Sequence, residues 1–265
     1  MDFLIYFAKL VGLTLGIFVI CGFAVRFCSR AFSHLTGAGS GNVFDLTSAI
    51  GTPIHELGHA AMCFLFAHKI TKIKLWSPKH PNGVYGFVEH SYNRKNPWAR
   101  LGCLFIGLGP IFSGLAVTVF VLWLCFPTQW NDYLSLSAAL TADSMGVGQL
   151  LEGILSLLYS LITAFSADWM RSLLGVLVIL PVSLHISLSW QDIKSAARAL
   201  PLYLLMILIF AGATSLTGIS GAVTDFMYVS NIRAMSLFAV VIAFAAVWVA
   251  FALLYRGIKI FISWF

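Results

Sequence analysis

Two histidines and a glutamate, His55, Glu56 and His59, stand inside the apolar run of residues 43–67. In a helix, positions i and i+4 share a face, so the imidazoles of His55 and His59 can hold one divalent ion between them. Glu56 sits beside them, placed to take a proton from a water that the ion has acidified. Charge in such a segment is costly, about 2.5–3.5 kcal/mol for an aspartate-like group at a helix centre on insertion scales. A dication offsets that cost, because the side chains become its ligands. HExxH is a short pattern that also arises by chance. Its place inside a helix of membrane length gives it weight.

A catalytic zinc takes three protein ligands and keeps a fourth position open. The longer pattern HExxHxxGxxH does not continue here, because Leu65 occupies its third histidine position. Glu89 is a conceivable carboxylate ligand, but it belongs to a polar stretch where solvation is the ordinary state. The better region is 179–200, ILPVSLHISLSWQDIKSAARAL. His185 follows Pro181 in an apolar stretch and ranks first as third ligand. Asp192 is the alternative; in a continuous helix it would share a face with His185. Ser189-Trp190-Gln191-Asp192 also reads as a capping box that opens a helix, which gives Asp192 a structural role of its own.

The elements that must position these residues belong to a membrane. The chain has 265 residues, 60% hydrophobic and 10% charged. A soluble domain is about 25% charged, so this chain cannot cover a water-facing surface. It reads as an α-helical polytopic membrane protein. Residues 1–25 are apolar for too long to be a signal peptide and read as a retained span. The net charge of +6 fits the Lys/Arg excess of cytoplasmic loops rather than nucleic-acid binding, since no basic–aromatic module is present. Cys21, Cys28, Cys63, Cys103 and Cys125 have no paired spacing and read as small buried hydrophobes.

Apolar runs near span length occur at 3–25, 43–67, 98–126, 145–165, 173–188, 202–219 and 234–255, predicting six to seven helices. The segment 37–42, GAGSGN, is a break. It divides an N-terminal region, 1–42, from a core, 43–199, which is followed by C-terminal helices, 200–265. Residues 69–100 carry Lys69, Lys72, Lys74, Lys79, Arg94, Lys95 and Arg100 against Glu89, and should be cytoplasmic. The loop 127–143, without Lys or Arg, should face outward. Two full spans between there and Lys194 would put Lys194 on the wrong side, so one of 145–165 and 173–188 should not cross fully.

Within 69–97, alternating β-branched and aromatic residues flank PKHPNG, which predicts a β-hairpin at the cytoplasmic face. Tyr85, Gly86, Phe87 and Val88 form the strand best suited to hold an extended substrate. Ser113 is a candidate for oxyanion or substrate contact, with helix packing in a small-residue stretch as the simpler role. Gln149 and Glu152 are polar groups within an apolar run. His68, Lys69, His80 and His90 border the hairpin and read as solvated.

HELGH within a span, GLGPIFSG at 107–114 and a later proline-containing segment resemble the site-2 protease group of intramembrane zinc metalloproteases. The resemblance covers roughly residues 43–195. It implies Zn2+ held by His55 and His59, Glu56 as general base, and cleavage of transmembrane substrates at a site open to the cytoplasm. It implies a compact bacterial subgroup in the cytoplasmic membrane, without a PDZ domain. The family's third ligand is an aspartate in an LDG or NPDG context, which is absent here, and Ser113 stands where an asparagine is common. A divalent-metal transporter, with several stacked ligand layers, and a catalytically silent membrane scaffold are the rival readings. The partners implied are a transmembrane protein or peptide substrate and the lipid bilayer, and no nucleic acid.

Overall fold

The computed structural model describes residues 2–37, 40–77, 84–139 and 147–264. The chain enters through α1 (Phe3–Val11), a π-helical turn (Gly12–Gly16) and α2 (Ile17–Thr36). Next come α3 (Ser40–Leu65), strands β1 (Lys69–Lys74) and β2 (Phe87–Ser91), and α4 (Pro97–Cys125). The rest is α5 (Pro127–Ala139), α6 (Val147–Ala167), α7 (Trp169–His185), α8 (Trp190–Leu216) and α9 (Ser220–Ile262). Local chemistry sets several of these starts. Asn96 accepts from the Trp98 amide with Pro97 at the first helical position of α4. Ser189 and Asp192 close a reciprocal capping box on α8, as the sequence predicts.

Among the described residues, four helical stretches are long and apolar enough to cross a membrane: Phe3–Thr36, α4, α8 and α9. This is compatible with an integral membrane protein. Each apolar run of the sequence is largely helical, yet the expected six to seven crossings are not matched by six to seven such helices. α3 has 26 residues and is long enough, but Asp45, His55, Glu56 and His59 lower its hydropathy. Residues 127–139, expected as loop, form α5. Pro127 sits at its first position, and Tyr133 buries with Phe126 and Leu157 in one cluster.

The same cluster bears on the two segments between 143 and 194. Leu157, Leu161 and Ala164 of α6 pack with Val121, Leu122 and Phe126, at the end of α4. α6 packs on α5, α7 and α9 within the cluster that closes that end of α4. α7 runs from that cluster to α3: Gly175, within its first half, faces Phe126, and His185, its last residue, faces Gly51 of α3.

At the centre α4 packs between α3 and α8. A Cβ on Gly109 would stand 2.9 Å from the His59 amide nitrogen, and one on Gly107 would stand 2.5 Å from the Asp192 carbonyl oxygen. Positions i and i+2 of a helix point to nearly opposite sides, so the two glycines of GLGP admit the two neighbours separately. β1 and β2 pair antiparallel, Lys69 opposite Ser91 and Lys74 opposite Phe87, with an irregularity between Ile70 and Lys72. The hairpin expected from the sequence is present in these strands. Its turn, 78–83, lies outside the described residues.

Candidate metal centre

His55 and His59 project from one face of α3, as their spacing requires. Each ring is held at Nδ1 by a carbonyl that needs a donor. The Nδ1–H of His59 donates to Ile106 at 2.7 Å. Pro110, four residues on, has no amide hydrogen, so the Ile106 carbonyl has lost its helical partner. The Nδ1–H of His55 donates to the His185 carbonyl at 2.8 Å. α7 ends at His185, which leaves that carbonyl open as a terminal acceptor.

A carbonyl only accepts, so each ring carries a proton on Nδ1, and in its neutral form, the one that can bind a metal, it presents a bare Nε2. These two atoms lie 3.2 Å apart. Oδ1 of Asp192 is 3.3 Å from Nε2 of His59, and Oδ2 is 3.9 Å from Nε2 of His55. Two facing lone pairs and a carboxylate repel one another unless a proton or a cation lies between them. One donor atom from each of the three residues falls within 4.8 Å of the others. Nitrogen, nitrogen and oxygen at this spacing fit a divalent transition metal such as zinc.

Asp192 serves two structures at once. Oδ2 accepts from the Ser189 amide at 2.7 Å, closing the capping box, while Oδ1 is the atom nearer His59. The structure does not bring the ring of His185 to this group. Its Nε2 lies 2.9 Å from the Thr47 hydroxyl, which donates its own hydrogen to the Val43 carbonyl. His185 Nε2–H is therefore the donor to Thr47. His185 reaches the centre through its backbone alone.

The three residues open on a cavity of about 610 Å³ that Glu56 also lines. Gly86, Phe87 and Val88 form part of its wall. A Cβ on Gly86 would stand 2.9 Å from Cγ of Glu56, so this approach needs glycine. Tyr85 lies outside the cavity lining and donates its hydroxyl to Asp45 at 2.7 Å. Burial first, then that bond and the Asp45 charge, push the Tyr85 phenol up to about 12. Ser113 does not line the cavity either; its hydroxyl donates to the Pro110 carbonyl at 3.1 Å, and it packs against Gly58. Glu89 and Glu152 are exposed and apart from the three donors. The side chain of Gln149, and His80, lie outside the described residues.

Three features escaped the sequence reading. The Ile106 carbonyl was signalled only by Pro110. Lys194 and Arg198 line the cavity from one face of α8, at the i and i+4 spacing the capping box sets in register. His68, expected to be solvated, is buried beside the half-buried His90. No family model, curated protein or solved structure matches the chain, so the likeness to site-2 proteases rests on its motifs.

Proposed function

We propose that the protein is a zinc-dependent intramembrane metalloprotease that hydrolyses peptide bonds of membrane-spanning substrates. The reading is carried by the convergence of two bare Nε2 atoms and the Asp192 carboxylate beside Glu56 on one cavity. It takes Asp192, rather than His185, as the third ligand. Bound there, zinc would supply Lewis acidity toward a water molecule and the scissile carbonyl. Glu56 accepts a proton from that water as its oxygen bonds to the carbonyl carbon. It then hands the proton to the amide nitrogen as the C–N bond breaks. The Ile106 and His185 carbonyls keep His55 and His59 in the tautomer that binds metal.

A transmembrane helix hides its peptide bonds in its own hydrogen bonds, so a substrate must unwind. β2 pairs with β1 alone in the sheet of the described residues, and its first residues line the cavity. Its other edge can take an unwound substrate as an added strand. Lys194 and Arg198 share the cavity with this sheet, which lies within the basic stretch 69–100. Positive charge on that side supports an opening toward the cytoplasm.

The test is cleavage of a single-span substrate in proteoliposomes. Glu56→Gln should keep zinc and lose cleavage; cleavage at the wild-type rate would overturn the reading. One observation favours a divalent-metal transporter as the second reading. Cys63, His68 and His90 form another donor group, as a second ligand layer would. Metal uptake by proteoliposomes that persists in Glu56→Gln, without cleavage by wild type, selects the transporter.

A further inference from the structure

We propose that Cys63, His68 and His90 form a second metal site, for a thiophilic cation such as Zn2+, which ties the sheet to the end of α3. The proposal stands whichever function the first centre has, because the residues are different and the donor set is softer.

The site is built by the way α3 ends. The His68 amide donates back to the Cys63 carbonyl at 2.8 Å, and the Ala67 amide to Phe64 at 3.3 Å. These two bonds make a Schellman turn, whose C′ position needs a left-handed backbone and is usually glycine. Here it is Ala67, at φ +55°. A residue with a Cβ is disfavoured there by about 1–2 kcal/mol, so the surroundings must hold it. The turn folds His68 back over Cys63.

Three contacts then fix the His68 ring. Its Nε2–H donates to the Ala99 carbonyl at 2.7 Å. Its face stacks on Tyr92 at 4.6 Å between centroids. Gly102 makes room, since a Cβ there would stand 2.9 Å from Nε2. With the proton on Nε2, His68 presents a bare Nδ1, and Nδ1 of His90 lies 2.9 Å from it. Cys63, wholly buried, completes the group, with one donor atom from each residue within 4.8 Å of the others.

One sulfur and two imidazoles select zinc, or a similarly soft ion, over magnesium or calcium. On binding, Cys63 loses its thiol proton to solvent. The hydrogen between the two Nδ1 atoms gives way to the ion, and His90 carries its proton on Nε2 instead. His90 also lines the cavity of the first centre. The ion would therefore fix that wall of the cavity to α3.

The test uses full-length protein in detergent, stripped of metal and loaded with Co2+, which gives a sulfur-to-cobalt charge-transfer band when a thiolate binds. Wild type should take up about two ions per chain and show the band. Cys63→Ser and His90→Gln should each lose the band and about one ion, and Asp192→Asn should keep the band. Absence of the band in wild type overturns the proposal, and so does its survival in Cys63→Ser. Should Cys63→Ser fail to fold, His90→Gln and the wild-type band still decide. A band that survives in Asp192→Asn separates this site from any failure of the first centre.

Discussion

Gly58 of HELGH and Gly109 of GLGP meet backbone to backbone: a Cβ on Gly109 would stand 2.6 Å from the Gly58 carbonyl oxygen. The two motifs are thus one crossing of α3 over α4, and His59 is delivered to the Ile106 carbonyl by that approach. Gly109→Leu should separate the helices. Overpacking of this kind costs about 1–3 kcal/mol, so the unfolding midpoint in detergent should fall and zinc content with it. Wild-type zinc content in a folded Gly109→Leu would show that the crossing does not position His59.

Pro110→Ala separates stability from metal binding. The new amide hydrogen competes with His59 for the Ile106 carbonyl and repairs the helix. Zinc affinity is expected to fall about 10–100-fold, the usual effect of removing such a partner, while the unfolding midpoint stays level or rises. Competition with a chelator of known affinity measures the first, and a denaturant series the second.

Asp192→Asn and His185→Ala discriminate the third ligand. Asn keeps the shape but not the charge, and should strip zinc at modest chelator concentration. His185→Ala retains the carbonyl that holds His55 and loses only the ring's bond to Thr47. It should therefore retain about one zinc at the first centre. The reverse pattern would move the ligand to His185.

Tyr85→Phe probes how the sheet is tied to α3. The lost bond runs to a charged acceptor, and such bonds contribute about 1.5–3 kcal/mol when buried. Tyr85 is half-exposed, so the effect should fall below that range. Faster hydrogen exchange in β2, with zinc content unchanged, is the expected result.

His55, Glu56 and His59 were legible because their geometry is local: i and i+4 meet on any helix. The choice between His185 and Asp192 was not. A continuous helix would put both on one face, but α7 stops at His185 and α8 restarts at Trp190. That short interruption sends the ring to Thr47 and the carboxylate to His59. The capping box was read correctly as structure, yet it occupies one carboxylate oxygen and leaves the other. His68 and His90 looked solvated because each stands next to charged residues in sequence. Their burial depends on β2 lying against the end of α3, a contact no local pattern reports. The role of Pro110 was hidden for the opposite reason. A proline is easily seen, but the acceptor it frees is four residues away and its donor is on another helix.

The absence of α3 from the long apolar helices bears on how the protein is made. α3 is synthesised with its polar groups in place. The carbonyls that receive His55 and His59 arrive 130 and 47 residues later. Until then α3 would have only its own modest hydropathy to hold it in lipid. We expect its membrane placement to depend on α4 and α7 rather than on its own insertion. A nascent chain ending before α4 should expose α3 to a water-soluble label that the finished protein excludes.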